Sequence, residues 1–370
     1  MQTSFKKDLR VTPIRFGIVG CGSIGPTHAG AIQQIEGAEL TAVADTVPDR
    51  AAEMAKKFSV PGVYHSDEAL IADPNVDVVI LCTPSGMHAD GAVRAMRAGK
   101  HVVAEKPMEI SLAACDRIIA VQKETKKLFT VISQHRFDAA TQLVRDAIVS
   151  GKLGKIILAD AQVKWWRTQQ YYDSGDWRGT WKFDGGGALM NQGVHTVDLL
   201  QWLVGGVSTI FAHTRTAGHD RIEVEDLAVA ALTFKNGAVG TLTATTAAYE
   251  GLPVRIDIFG TEGSAILEGD RLKQMTLKSG EKYNTEEAAA HAVSVAQGGT
   301  ASVKNEAARR TTSADPGAVW GDAHRAQLQD FIAAIREDGQ PLITAEGGRK
   351  PLEIILGVYE SSRSGKLVTL

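Results

Sequence analysis

Two segments of this sequence place ionisable side chains where an apolar run has just ended. In GKHVVAEKPM, residues 99–108, a valine-rich run surfaces at Glu105-Lys106-Pro107. In FDGGGALMNQGVHTVDLLQWLVGG, residues 183–206, Asn191, His195 and Asp198 follow one another at four- and three-residue spacing, which puts them on one face of a helix. An ammonium supplies positive charge, and an imidazole with a pKa near ~6.5 takes or gives a proton at neutral pH. Together they suit a reaction in which an alcohol oxygen gains negative charge as its proton departs. Each has a plainer use as well: Glu105 and Lys106 as a surface ion pair, and His195 as a core histidine satisfied by Asp198.

A third segment, Gly20-Cys21-Gly22-Ser23-Ile24-Gly25, closes the apolar run IRFGIVG at residues 14–20. Such glycine spacing is weak by itself in a chain with 37 glycines. It gains meaning from the strand-like run before it and the helical pattern after it. Gly20 makes the turn, Gly22 lets the backbone approach a pyrophosphate, and the N–H groups of Ser23, Ile24 and Gly25 open a helix whose positive end favours phosphate. Asp45, twenty residues after Gly25, ends the second run and is placed to accept from the adenosine ribose. A carboxylate there repels a 2′-phosphate, so NAD is expected and NADP is disfavoured, with Arg50 softening that preference. Thr83-Pro84 and Glu105-Lys106-Pro107 end two later runs and should border the nicotinamide half of the same crevice, with Glu105 anchoring the turn or the nicotinamide ribose.

The elements that must position these residues read as two layers of different construction. IRFGIVG, AELTAVAD (38–45), VDVVILCTP (76–84), KHVVAEKP (100–107) and KLFTVISQ (127–134) are apolar on both faces and separated by amphipathic segments, the pattern of a parallel sheet covered by helices. From Lys155 onward longer strands alternate apolar with small or polar residues, as in DLAVAALTF (226–234) and GAVGTLTATTAA (237–248). Asn236-Gly237 supplies the positive φ of a hairpin between them, so the second part should carry an antiparallel sheet. At 370 residues two domains are the default, with boundaries expected at 1–134 and 135–370 and the C-terminal helix packing back near the first.

Composition narrows the partners. Forty basic against forty-three acidic residues give a net charge of −3, no footprint for nucleic acid or an anionic membrane. No apolar run reaches 18 residues, no signal segment opens the chain, and the three cysteines are scattered, all pointing to a cytoplasmic protein with a small-molecule substrate. No HExxH and no cysteine pair suggests a metal, and no GxSxG suggests a serine nucleophile. WWRTQQYYDSGDWRGTW, residues 165–181, holds six aromatics in seventeen positions, where the chain's 6% average gives about one. Trp165 and Tyr172 offer stacking faces for a pyranose ring, and Arg167 and Arg178 suit a carboxylate or phosphate; an aromatic interface layer is the competing use. Residues 284–317 lack apolar period and read as an irregular insertion, after which residues 320–339 form an amphipathic helix carrying His324.

In their order and spacing, GIVGCGSIG with His28 close behind, TPSGMHAD with His88, AEKP and GGGALMNQGVHTVDLL make the chain similar to the Gfo/Idh/MocA oxidoreductases, a family named for glucose-fructose oxidoreductase and inositol dehydrogenase. The resemblance implies an N-terminal Rossmann domain and an α+β C-terminal domain with a large, mostly antiparallel open sheet whose free face pairs subunits into a homodimer or homotetramer. It implies NAD and a catalytic pair on Lys106 and His195, acting on a secondary alcohol of a sugar, sugar acid or cyclic polyol. His324 resembles a family position close to the substrate. Where many members carry aspartate four residues before the histidine, this chain has Asn191, which resembles the amino-sugar and uronate dehydrogenase subset and would orient substrate hydroxyls. An NAD-recycling glycosidase or eliminating enzyme, and a non-catalytic NAD sensor, are the alternatives.

Overall fold

The computed structural model describes residues 12–284, 286 and 321–370. The expectation for residues 284–317 lies outside these, apart from Asn284 and Glu286.

The first sheet has six parallel strands in the order β3-β2-β1-β4-β5-β6: β1 Ile14–Val19, β2 Ala38–Ala44, β3 Gly62–Tyr64, β4 Val78–Leu81, β5 His101–Ala104 and β6 Phe129–Val131. Val78, Val79, Ile80 and Leu81 of β4 are all buried, as a strand covered on both faces requires. Helices α1 Gly25–Ile32, α2 Pro48–Phe58, α3 Asp67–Ile71, α4 His88–Arg97 and α5 Leu112–Thr125 make the crossovers. Strand order reverses between β1 and β4, so the crevice for a ligand opens outside their carboxyl ends. The short edge strand β3 had no signature in the sequence reading.

The second sheet has nine strands in the order β14-β13-β12-β11-β7-β10-β9-β8-β15. They are β7 Ile156–Lys164, β8 Val207–Arg215, β9 Leu227–Phe234, β10 Val239–Thr245, β11 Arg255–Gly260, β12 Gly263–Glu268, β13 Arg271–Leu277, β14 Lys282–Tyr283 and β15 Val368–Thr369. Every pairing is antiparallel except β7 with β10, so the sheet is mostly antiparallel as expected. In the β9–β10 turn Gly237 alone takes a positive φ, +86°, and its N–H closes the turn on the Phe234 carbonyl; Asn236 stays at negative φ and its side chain accepts from Ala238 N–H.

Helices α6 Ala139–Val149, α7 Gln169–Asp173 and α8 Val194–Val204 belong to this second layer. Two C-terminal helices then tie the layers together. In α9, Gly321–Arg336, Leu328, Phe331 and Ile332 sink into the core formed by Phe16, Ile18 and Ile32. In α10, Ala345–Ser364, Leu352 and Ile355 join Phe129 and Val131 of β6 to Ile210 and Ala212 of β8 in one continuous core. Thr344 caps α10 by accepting from Gly347 N–H, and Gly365 ends it in the left-handed conformation. No helix of the described residues is long and apolar enough to cross a membrane.

Candidate active site

The Gly20–Gly25 loop leaves β1 with Gly20 at φ +98°. A side chain on Gly25 would begin 2.6 Å from the Gly20 carbonyl, whereas one on Gly22 would meet nothing within 4 Å. The middle glycine thus faces open space, which is what a backbone receiving a pyrophosphate needs. Ser23 is exposed, and Ile24 precedes α1 with no side chain capping the helix's first N–H groups. Asp45 receives the Cys21 and Val47 N–H groups at 2.8 Å each, one on either carboxylate oxygen, and so holds the loop. Arg50 is exposed on α2. Thr83 Oγ1 is buried and, among the described residues, has no hydrogen-bond partner, a second feature beside the crevice that suits a dinucleotide. Pro84 follows it and begins the turn into α4. His88 offers no free nitrogen to a cofactor: both ring nitrogens face carbonyls, Thr83 at 2.9 Å and Pro107 at 3.0 Å, so it fastens the two loops that border the crevice.

Glu105 is buried rather than part of a surface pair. Its Oε1 lies 2.7 Å from His28 Nε2, and its Oε2 accepts the Lys106 N–H at 3.1 Å. Burial alone would raise its pKa, but the His28 bond, with His324 and Lys106 nearby, holds it well below the usual carboxylate range. His324, read as a helix position near the substrate, is buried against His28 at a ring distance of 5.2 Å and lies 3.9 Å from Glu105. The donor atoms of His28, Glu105 and His324 fall within 4.8 Å of one another, a grouping from three distant segments that no spacing in the chain announces.

Lys106 reaches across the crevice. Its Nζ donates to the backbone carbonyl of Asn191 at 3.0 Å, joining the end of β5 to the turn that opens α8. That turn, Ala188–Gln192, is π-helical, closed by Gly193 N–H on the Ala188 carbonyl. Glu225 anchors it by accepting the Gly187 and Leu189 N–H groups at 2.8 Å each and the Tyr359 hydroxyl at 3.0 Å. The approach is so close that a side chain on Gly187 would begin 1.6 Å from the Glu225 carbonyl oxygen. Burial pushes the Glu225 carboxyl up to about 7, against those two N–H bonds.

Asp198 is not the partner of His195; it is buried in a two-toothed pair with Arg136, whose Nε donates at 2.7 Å. Among the described residues no protein group hydrogen-bonds the His195 ring. Burial, then the charges of Lys106 and His135, hold its pKa well below 6.5. Burial also lowers Lys106, with Glu105 and Asp184 opposing and Arg178 and Arg167 adding to the fall.

Asn191 does not stand alone in place of an acid. Its amide donates to Asp184 Oδ1 at 2.6 Å. Asp184 is buried, receives the Gly179 N–H at 2.9 Å, and has its pKa raised by that burial. From Asn191 the network continues to Gln192, and through the Tyr171 hydroxyl to Arg178 at 2.7 Å.

The aromatic stretch splits between packing and site. Trp165 packs against the core, with the Arg167 guanidinium 4.9 Å from its ring. Tyr172 is buried, its hydroxyl 2.7 Å from Thr246 Oγ1. Its neighbour Tyr171 is the one in the network, flanked by Arg178 at 4.3 Å and Arg167 at 5.5 Å. Tyr171, Asp184, Gln192, His135 and Glu225 were missed in the sequence. Asp184 alone had a signal there, standing directly before the glycine triplet.

Comparison with known proteins bears on the family and the fold. Residues 14–133 match the oxidoreductase family with an NAD-binding Rossmann fold, and residues 141–266 match the GFO/IDH/MocA C-terminal domain. Myo-inositol 2-dehydrogenase of Thermotoga maritima is 31% identical over 268 residues, 70% of this chain and 76% of that protein. Scyllo-inositol 2-dehydrogenase (NAD(+)) of Bacillus subtilis is 25% identical over 96% of both chains. The WlbA dehydrogenase of Bordetella pertussis, solved with NADH and UDP-GlcNAcA, superposes with a TM-score of 0.84 at 34% identity, covering 98% of this chain and 99% of that one. With a six-stranded NAD-binding sheet, an open mostly antiparallel sheet and both halves matched, the chain belongs to the Gfo/Idh/MocA family of oxidoreductases.

Proposed function

We propose that the protein is an NAD-dependent dehydrogenase that oxidises a secondary hydroxyl of an anionic sugar, a uronate or nucleotide-linked sugar acid, with Lys106 and His195 as the catalytic pair. The observation that carries this reading is the 3.0 Å bond from Lys106 to the Asn191 carbonyl, which brings an ammonium from the first sheet to the turn that leads into α8, near enough for its charge to act on His195. NAD held by the Gly20–Gly25 loop would supply the hydride acceptor. His195, uncharged and without a protein hydrogen bond among the described residues, takes the hydroxyl proton. Lys106 donates to the same oxygen and stabilises its developing charge.

The preference for an anion rests on the charges around that oxygen. Arg178 and Lys106 both act on Asp184, and Arg178 and Arg167 both add their positive charge to that of Lys106. The Arg178 guanidinium lies over both Tyr171 and Trp177, at 4.3 and 4.5 Å, and donates through Nη1 to the Tyr171 hydroxyl; its remaining N–H groups suit a carboxylate or phosphate. UDP-GlcNAcA in the Bordetella relative is a ligand of this class. Asn191 and Gln192 supply amides for ring hydroxyls.

Cytoplasmic location and self-association complete the reading. Cys21, Cys82 and Cys115 are free. Phe211, Val229 and Val239 stand exposed on the outer face of the second sheet, which suits a homodimer or homotetramer.

Reduction of NAD by UDP-GlcNAcA, free uronates, myo-inositol and levoglucosan tests the proposal. Anionic sugars should give the higher kcat/KM, Arg178→Ala should raise KM for them selectively, and Lys106→Ala and His195→Asn should each lose about a hundredfold or more in kcat. Equal rates with neutral polyols would refute the anion preference. Full turnover by Lys106→Ala would refute the catalytic pair.

A further inference from the structure

His135 lies in the loop between β6 and α6, outside every motif, and no step described so far uses it. Its ring meets the His195 ring edge to face, centroids 5.1 Å apart and planes at 87°. Two carboxylates hold its other side. Asp138, at the start of α6, lies 2.8 Å from Nδ1, and Asp270, in the turn between β12 and β13, lies 3.3 Å from the same nitrogen.

The neighbour on Nε2 decides the ring's charge. The Gln134 amide nitrogen lies 3.3 Å from it, while Gln134 Oε1 is buried and, among the described residues, has no partner. With that amide turned over, Oε1 accepts from an Nε2–H, and the nitrogen keeps its proton. With Nδ1 donating to Asp138 and Nε2 donating to Gln134, the ring carries both protons and is a cation. Burial opposes that charge, but Asp270 and Asp138 overcome it and push His135 up to about 9, with Asp198 adding a little. Asp198 is already matched by Arg136.

We propose that His135, clamped by Asp138 and Asp270 and packed edge-on to His195, is a positioning residue: a standing imidazolium that keeps the neighbouring imidazole uncharged and therefore a base. The inference rests on the reading of His195 as the proton acceptor. Two cations then act on His195 from different elements, Lys106 after β5 and His135 in the loop before α6, while Glu105 opposes them and His324 adds to them. The acceptor stays unprotonated in mildly acidic solution. Once it has taken the substrate's proton it sits between two like charges, so it releases that proton readily.

The test is a histidine-ring NMR titration of the full-length protein without substrate, the His195 signal assigned by its loss in His195→Asn. In His135→Asn the His195 midpoint should move up by about one pH unit, because a like charge near 5 Å is gone. In His135→Arg it should stay near the parent value, because the charge is restored. The double variant Asp138→Asn/Asp270→Asn, which leaves the ring in place and lets it discharge, should move it in the same direction as His135→Asn. With UDP-GlcNAcA as substrate, the acidic limb of kcat/KM should follow the same order.

An unmoved midpoint in His135→Asn, or an equal shift in His135→Arg, would overturn the proposal. Failure of the underlying reading looks different: His195→Asn would turn over normally while the NMR midpoints still shifted as described.

Discussion

The Asn191 amide donates to Asp184 Oδ1 at 2.6 Å while the Asn191 carbonyl accepts from Lys106 Nζ at 3.0 Å. One residue therefore joins a buried acid to the ammonium, through its side chain on one side and its backbone on the other. The amide is the type that fits. A carboxylate at position 191 would face Asp184 at hydrogen-bond distance with two negative charges, and one of the two would have to keep a proton. Asn191→Asp should thus be destabilised. A carboxyl whose folded pKa is raised costs stability above its unfolded value near ~3.9, and that cost vanishes as pH falls below it. Thermal melts of Asn191→Asp and the parent protein should differ most at pH 8 and converge toward pH 4, whereas a constant gap would show that Asp184 does not feel position 191.

Glu105 has the opposite sign. Its folded pKa lies below the unfolded value near ~4.3, so its stabilisation is present at neutral pH and is lost as pH falls through the folded value. Glu105→Gln removes that charge but keeps an acceptor for His28, for a loss of about 2 kcal/mol at pH 7. Unfolding midpoints of the two proteins should draw together under acid. A Glu105→Gln protein as stable as its parent at pH 7 would mean that the His28 bond adds nothing net.

The dinucleotide loop separates binding from folding. A valine at Gly22 meets no protein atom at its Cβ, and the position has no positive φ, so the native fold accommodates it. The same side chain would fill the space left for a pyrophosphate. Gly22→Val should keep the parent melting temperature and raise the Kd for NADH at least about tenfold, read by nicotinamide fluorescence. Asp45→Ala should relax discrimination against NADP and also lose some stability, since the Cys21 and Val47 N–H groups depend on that carboxylate. Unchanged NAD preference in Asp45→Ala would remove the carboxylate from the ribose site.

What the sequence made legible follows from how local each feature is. The path β1, Gly20–Gly25, α1 is contiguous, and its glycines answer to backbone geometry within a few residues. Lys106 was visible because Pro107 stops a buried strand behind it. Asp198 was misread because its partner, Arg136, lies 62 residues earlier in the chain, and the π-turn at Ala188–Gln192 was not foreseen because it depends on Glu225, more than thirty residues away. His135 and Asp270, or Glu105 and His28, meet through the topology of two sheets, and no spacing along the chain encodes such a meeting. The edge strand β3, three residues long, is below the length at which alternation can register.

Arg136 and Asp198 set the orientation of α8 and with it the aim of His195. Both are buried, and the guanidinium also lies over Trp202 at 5.3 Å. Arg136→Met leaves a buried carboxylate unpaired and should cost about 3–5 kcal/mol; Asp198→Leu strands the guanidinium at similar cost. Replacing both with apolar residues of similar volume removes the uncompensated charge, so the double variant should regain most of the melting temperature. Catalysis should not recover with it. The pair fixes α8 through two directed hydrogen bonds, whereas a Met–Leu contact lets the helix settle a fraction of an ångström away. The double variant should therefore melt near the parent temperature while kcat stays down about tenfold or more with little change in KM. If kcat returned together with stability, the pair would be a packing element only, and the aim of His195 would have to come from the wide turn before it.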